Sequence, residues 1–160
     1  MSNIVSEAAP VDLIHLADPD GDHCIVRVTG RFQPGVLTGH DILRANVLVS
    51  TSFIDARLDL YLFHDDLDSW EQQLSSLGPG RTARIGGDRG LNLEIHVHED
   101  GELSIQVTDP DRLWTVLGTR PREGWRTEHR QSLERVRQTW PREVMETVPG
   151  VYEWRPDRKR

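Results

Sequence analysis

Two histidines two residues apart, His96 and His98, are the side chains whose spacing most resembles a metal site. Residues i and i+2 of a strand project from the same face, so both imidazoles lie together if this stretch is extended. The hairpin that holds them has two possible registers. A two-residue Asp100-Gly101 turn would pair His98 with Leu103 and set the apolar faces against each other. A three-residue loop, Glu99-Asp100-Gly101 with Gly101 left-handed, pairs Val97 with Leu103 and keeps the faces matched, so it is the expected one. Glu102 then lies opposite His98 and Ser104 opposite His96, with Glu94 on the same face. Two imidazoles and a carboxylate are a ligand set that zinc accepts with a position left open. The same residues also make the polar, solvent-facing side of an antiparallel strand. That plainer reading is preferred, and no metal is expected.

The other candidates fail on spacing. Asp18-Pro19-Asp20-Gly21-Asp22 imitates the start of a calcium loop, but positions six and twelve, His23 and Thr29, are not the required glycine and glutamate. Gly86-Gly87-Asp88-Arg89-Gly90 precedes a strand rather than opening a helix, and the chain's one lysine, Lys159, is in the tail, so a phosphate loop is not assembled. Cys24 alternates with Val26 and Val28 and reads as a buried thiol. His40-Asp41 is either an acid–base pair or a turn with an Asp cap. No serine stands in a nucleophile elbow. No catalytic residue, cofactor or metal is therefore expected.

The elements that position these residues follow from periodicity. Val11–Ala17 and Cys24–Thr29 read as strands around the Asp18–Asp22 turn, and Gly30–His40 as a loop. Ala45–Ser50 is a short strand. In the next strand Ile54, Ala56, Leu58, Leu60 and Leu62 alternate with Asp55, Arg57, Asp59, Tyr61 and Phe63. At His64–Leu77 the period changes: Leu67, Trp70, Leu74 and Leu77 form one stripe of a helix. Asp65 or Asp66 is expected to cap it and Gly78-Pro79 to end it. Strands are expected at Arg81–Ile85, Leu91–Val97, Leu103–Val107 and Leu113–Leu117. A second helix over Thr127–Trp140, with Leu133, Val136 and Trp140 on one face, stops at Pro141. No internal repeat is seen. The expected fold is α+β, a mostly antiparallel β-sheet with one or two helices packed on one face. The expected organisation is a single domain over 1–160, with residues 1–10 a loose lead-in and 155–160 a basic tail.

Composition narrows the function classes. The net charge is −7. Nine basic and nineteen acidic residues precede Pro121, and ten basic and seven acidic residues follow from it. An acidic body disfavours nucleic acid and favours a basic partner. No apolar run approaches a bilayer span and the N-terminus has no signal-peptide character. The single cysteine suits a reducing compartment, so the cytoplasm is the expected location and neither membrane nor nucleic acid an expected partner.

Three segments carry a family resemblance: Val28-Thr29-Gly30-Arg31-Phe32-Gln33-Pro34-Gly35-Val36-Leu37-Thr38-Gly39-His40-Asp41; Phe53 through Leu62; and Trp140-Pro141-Arg142-Glu143-Val144 with Pro149-Gly150-Val151-Tyr152-Glu153-Trp154. They resemble an uncharacterised family of small proteins found mainly in actinobacteria, a domain of unknown function. From Phe53 to Asp109 the order strand, helix with Asp66-Leu67-Asp68-Ser69-Trp70, then hairpin is similar to immunity proteins of the wall-associated-toxin type. That resemblance implies a small acidic antidote bound to a toxin encoded nearby, and transfers no functional residue. The expected function is non-enzymatic protein binding through Arg31, Phe32, Gln33, His40, Asp41, Trp125 and Trp154. The alternatives are a metal-dependent enzyme or small-molecule binder at His96 and His98, or an interaction subunit of a larger bacterial assembly.

Overall fold

The structure, a computed structural model, describes residues 8–87 and 89–158. The first seven residues of the expected lead-in, Asp88 of the glycine loop, and the last two residues of the tail lie outside the described residues.

Four antiparallel strands come first: β1 (Val11–Ala17), β2 (His23–Arg31), β3 (Leu43–Ser50) and β4 (Asp55–Leu62). They form one sheet in sequence order, β1-β2-β3-β4. Helix α1 (His64–Ser76) follows. Then the order repeats: β5 (Thr82–Gly86), β6 (Asn92–Val97), β7 (Leu103–Asp109) and β8 (Leu113–Thr119) make a second four-stranded meander, and α2 (Trp125–Thr139) follows it. A two-stranded hairpin, β9 (Val144–Val148) and β10 (Val151–Trp154), ends the chain. The α+β class and the antiparallel pairing are as expected. The duplicated order of four strands and a helix is not visible as a sequence repeat, because what recurs is burial pattern rather than residue identity.

Each half is built by the same physics. In β4 the alternate residues Leu58, Leu60 and Leu62 are buried while Asp55, Arg57, Asp59 and Tyr61 face outward or partly outward. In α1 the stripe Leu67, Trp70, Leu74 and Leu77 is buried. The hairpin register is the expected one: Val97 pairs with Leu103, His96 with Ser104, and Gly101 takes φ 87° to close the three-residue loop. Buried residues from both sheets and both helices belong to one continuous apolar cluster.

Each helix crosses to the other half. Helix α1 lies beside β5, where the Gln73 side-chain amide donates to the Arg84 carbonyl at 2.8 Å and its oxygen accepts the Arg84 N–H at 2.6 Å. Helix α2 lies beside β1, where His129 Nε2 accepts the His15 N–H at 3.1 Å. Both contacts satisfy backbone groups that an edge strand leaves open.

One local expectation is corrected. Neither Asp65 nor Asp66 is the N-cap of α1. Phe63 holds that position with extended backbone, and since a phenyl ring accepts nothing, Asp66 serves from the third helical position, its carboxylate taking the Phe63 N–H at 2.8 Å. The C-terminal aromatic stretch is a hairpin. Pro149 fixes the first turn position and Gly150, at φ 82°, supplies the second, a pairing suited to a type II turn.

Candidate functional site

Gly30 and Arg31, expected in a loop, extend β2, and the loop that follows, residues 32–42, prolongs the β2–β3 hairpin: Phe32 N–H donates to the Ile42 carbonyl at 2.7 Å and Gln33 N–H to that of Gly39 at 3.2 Å. The Gln33 side chain lies over Gly39 so closely that a Cβ there would stand 2.7 Å from the Gln33 Cβ, which favours glycine. The folding of this loop brings Arg31, His40 and Asp41 to one place, and the C-terminal segment closes over them.

Arg31 is the hub. One of its terminal nitrogens, Nη1, donates to the His40 carbonyl at 3.0 Å and to Asp41 Oδ1 at 3.1 Å. The other, Nη2, donates to the Pro141 carbonyl at 2.8 Å and to Glu143 Oε1 at 2.9 Å. Asp41 also accepts the N–H groups of Glu143 and Val144, at 3.0 and 2.9 Å. His40 is buried, with Nδ1 accepting the Gly35 N–H at 2.9 Å. Its proton is therefore on Nε2, which donates to Glu143 Oε1 at 2.9 Å. Trp154 meets the His40 ring edge-on at 4.9 Å between centroids, and the Arg158 guanidinium lies 3.6 Å over the Trp154 ring.

Chemically this is a closed network. Both nitrogens of His40 are engaged, and the Asp41 and Glu143 carboxylates are bound by guanidinium and backbone donors. Its geometry joins the β2–β3 loop to the chain after α2. Of the sequence-singled residues, Arg31, His40 and Asp41 converge here with their polar atoms turned inward, and Trp154 joins them through its ring. Glu143, which bridges Arg31 and His40, was not singled out. No local pattern marks it, since Arg31 and His40 lie more than a hundred residues away.

Outside the network the loop presents aromatic surface. Phe32 is 39% exposed and meets Tyr61 edge-on at 5.1 Å. Tyr61 is 48% exposed and Phe63, two residues on, 54%. The alternation of β4 had already placed Tyr61 and Phe63 opposite the leucine face, so that was the signal for them. Asp59 precedes Tyr61 on the same face of β4, and Asp65 and Asp66 follow Phe63. Gln33 is exposed beside this patch in sequence.

Trp125 stands elsewhere, in the first turn of α2. It lines a cleft of about 720 Å³ between β1 and α2, with Asp12, His15, Arg27, Glu128 and Arg135. Arg27 is held by Asp12 at 2.7 Å. His129 closes the cleft floor: Nδ1 donates to the Trp125 carbonyl at 2.5 Å and Nε2 accepts from His15, so the ring is neutral, and burial pushes its pKa down. His96 and His98 meet edge-on at 4.7 Å on the outer face of the second sheet. His96 Nδ1 is 2.9 Å from the Thr82 hydroxyl and His98 Nε2 2.6 Å from that of Ser104. Among the described residues no group of three or more His, Cys, Asp and Glu side chains is placed to hold a metal ion. No described helix is long and apolar enough to cross a membrane.

No curated protein and no solved structure matches the chain. One family model does, over residues 11–141, and it spans both sheets, both helices and the Arg31–Asp41 loop. The chain belongs to the family of unknown function DUF5959.

Proposed function

We propose that this is a non-catalytic protein-binding domain whose contact surface is the Phe32–Tyr61–Phe63 patch. The observation that carries the reading is three solvent-facing aromatic rings, Tyr61 on β4, Phe63 at the start of α1 and Phe32 in the β2–β3 loop, the last next in sequence to Arg31 of the buried network. Aromatic side chains supply large apolar contact with few rotors to immobilise, and they dominate binding hot spots. Charges of both signs border the patch, Asp59 and Arg57 on β4 and Arg44 opposite Tyr61, which favours a partner whose apolar pocket is rimmed by complementary charges. A buried thiol at Cys24 accords with an intracellular site of action.

The test is affinity recovery of the tagged protein from its native host, followed by mass spectrometry of anything present at near-equal amount. A protein recovered with the wild type and lost with Phe63→Ser and Tyr61→Ser supports the reading; recovery that ignores both substitutions removes it. The finer reading is a bacterial self-protection factor that holds a toxin encoded nearby. It adds one requirement, that the recovered partner arrests growth when expressed alone and is relieved by this chain. A harmless partner would instead favour an interaction subunit of a larger assembly.

A further inference from the structure

The two four-stranded sheets have four edge strands, and three of them are guarded. Helix α2 lies along β1 and His129 takes up the His15 N–H. Helix α1 lies along β5 and Gln73 clamps Arg84. Strand β4 carries Asp55, Arg57 and Asp59, the charged side chains that discourage a stray strand from adding on. Strand β8 has none of these protections. Its residues, Leu113-Trp114-Thr115-Val116-Leu117-Gly118-Thr119, include no charge and no proline. Among the described residues, it pairs with β7 alone and no backbone hydrogen bond reaches its outer edge.

The side chains of β8 alternate cleanly. Thr115, Leu117 and Thr119 are buried, and Trp114, Val116 and Gly118 face out. Trp114 is 67% exposed and Val116 42%, which is apolar surface next to an open ladder of N–H and C=O groups. A strand so composed is a template for one more strand.

We propose that the occupant is a second copy of this chain, joined β8 to β8 in antiparallel fashion about a two-fold axis at Val116. A two-fold axis makes the contact self-complementary: only the residue on the axis faces its own image, and every other pairing occurs twice. With Val116 opposite itself, Trp114 falls opposite Gly118 of the second copy, Leu113 opposite Thr119, and Thr115 opposite Leu117. The largest side chain thus meets the smallest. Above Gly118 there is room: a Cβ built there finds its nearest neighbour, the Leu103 carbonyl oxygen, at 3.9 Å. An indole packed across a strand glycine shields backbone that glycine leaves bare.

Charge fits the same register. No charged side chain lies within the paired segment, so none is desolvated without a partner. At its ends Arg112 of one copy meets Arg120 of the other, and both are already neutralised, Arg112 by Asp109 and Arg120 by Glu102, each at 2.6 Å. The outcome is an eight-stranded sheet running through both copies. This surface is separate from the Phe32–Tyr61–Phe63 patch and does not depend on it.

Sedimentation velocity of the purified full chain over a concentration series is the first test. The expected result is a species of twice the monomer mass that grows with concentration. Val116→Lys, which sets two ammonium groups face to face at the axis, is expected to weaken that dimer at least about tenfold. Because Val116 faces solvent, the variant keeps its fold, as circular dichroism verifies. The second test is register-specific. Under mild oxidation Val116→Cys is expected to give a covalent dimer, whereas Asp59→Cys on β4 is not; Cys24 is buried and takes no part. A monomer at every concentration overturns the proposal. So does a dimer that survives Val116→Lys, or equal cross-linking from both cysteine variants. Protection of β8 amides only on adding a different protein would assign the edge to that protein instead.

Discussion

Arg31 and Glu143, 112 residues apart in the chain, are joined by a 2.9 Å guanidinium–carboxylate contact whose two side chains are only 10% and 17% exposed. The contact fastens the β2–β3 loop to the segment after α2, with His40 and Asp41 completing the joint. Breaking one partner of such a pair leaves the other charge buried. Glu143→Ala is therefore expected to cost about 3 kcal/mol in urea unfolding, while Arg31→Met combined with Glu143→Met costs less than the sum of the single changes. Strictly additive losses would show that the two residues do not act through each other.

Acid should weaken the fold before the carboxylates titrate. His129 is held neutral, with its pKa pushed below the ordinary 6.5 chiefly by burial, and His64 is pushed down in the same direction for the same first reason. The unfolded chain takes up these protons at about pH 6.5 and the native chain only lower, so unfolding binds protons in that window. Stability is full above pH 6.5 and is expected to fall as the pH drops below it. Replacing His129 with Gln should flatten that slope, measured as urea midpoint against pH from 7.5 to 5. An unchanged slope in the variant would show that His129 does not report this protonation.

Gln73 is predicted to be worth more than a surface glutamine. Gln73→Ala removes two hydrogen bonds from the β5 edge, a loss of about 1–2 kcal/mol, and leaves the Arg84 N–H open to solvent. Amide hydrogen exchange at Arg84 should accelerate well beyond that of Ile95 on the adjacent strand. Equal protection before and after substitution would mean that α1 covers the edge without the amide.

Cys24 should be inert in the native state. Burial pushes its thiol to about pKa 12, so almost no thiolate is present at neutral pH. A chromogenic disulfide reagent is expected to label one thiol per chain in denaturant and none before unfolding. Prompt labelling of the folded chain would contradict the packing around β2.

The legible part of the sequence was its periodic part. Leu67, Trp70, Leu74 and Leu77 announced α1, and matching Val97 to Leu103 selected the hairpin register, because each depends on neighbours within one element. What could not be read was long-range. Nothing near Arg31 points to Glu143, and nothing near Gln73 says that α1 will serve the strand that follows it. The split of the strands into two sheets also escaped, since alternation shows that a strand has a buried face but not which sheet it joins. Of the residues singled out for binding, Phe32 and Gln33 lie at the surface, while Arg31, His40 and Asp41 are spent within the protein. Trp125 lines the β1–α2 cleft, away from Trp154, which packs on His40. The Pro149-Gly150 pair was a turn signal in plain view, and it makes the β9–β10 hairpin.

The crossing of the helices sets a clock on synthesis. The β5 edge is served by Gln73, made 11 residues before its partner, so its cover is ready when the strand emerges. The β1 edge waits for His129, 114 residues behind His15. At ordinary elongation rates that interval is on the order of ten seconds. Throughout it a growing chain carries β1 paired with β2 on one side and open on the other. A transcript cut short before α2 would yield a product that never leaves this sticky stage, and the last third of the chain acts in effect as the chaperone of the first.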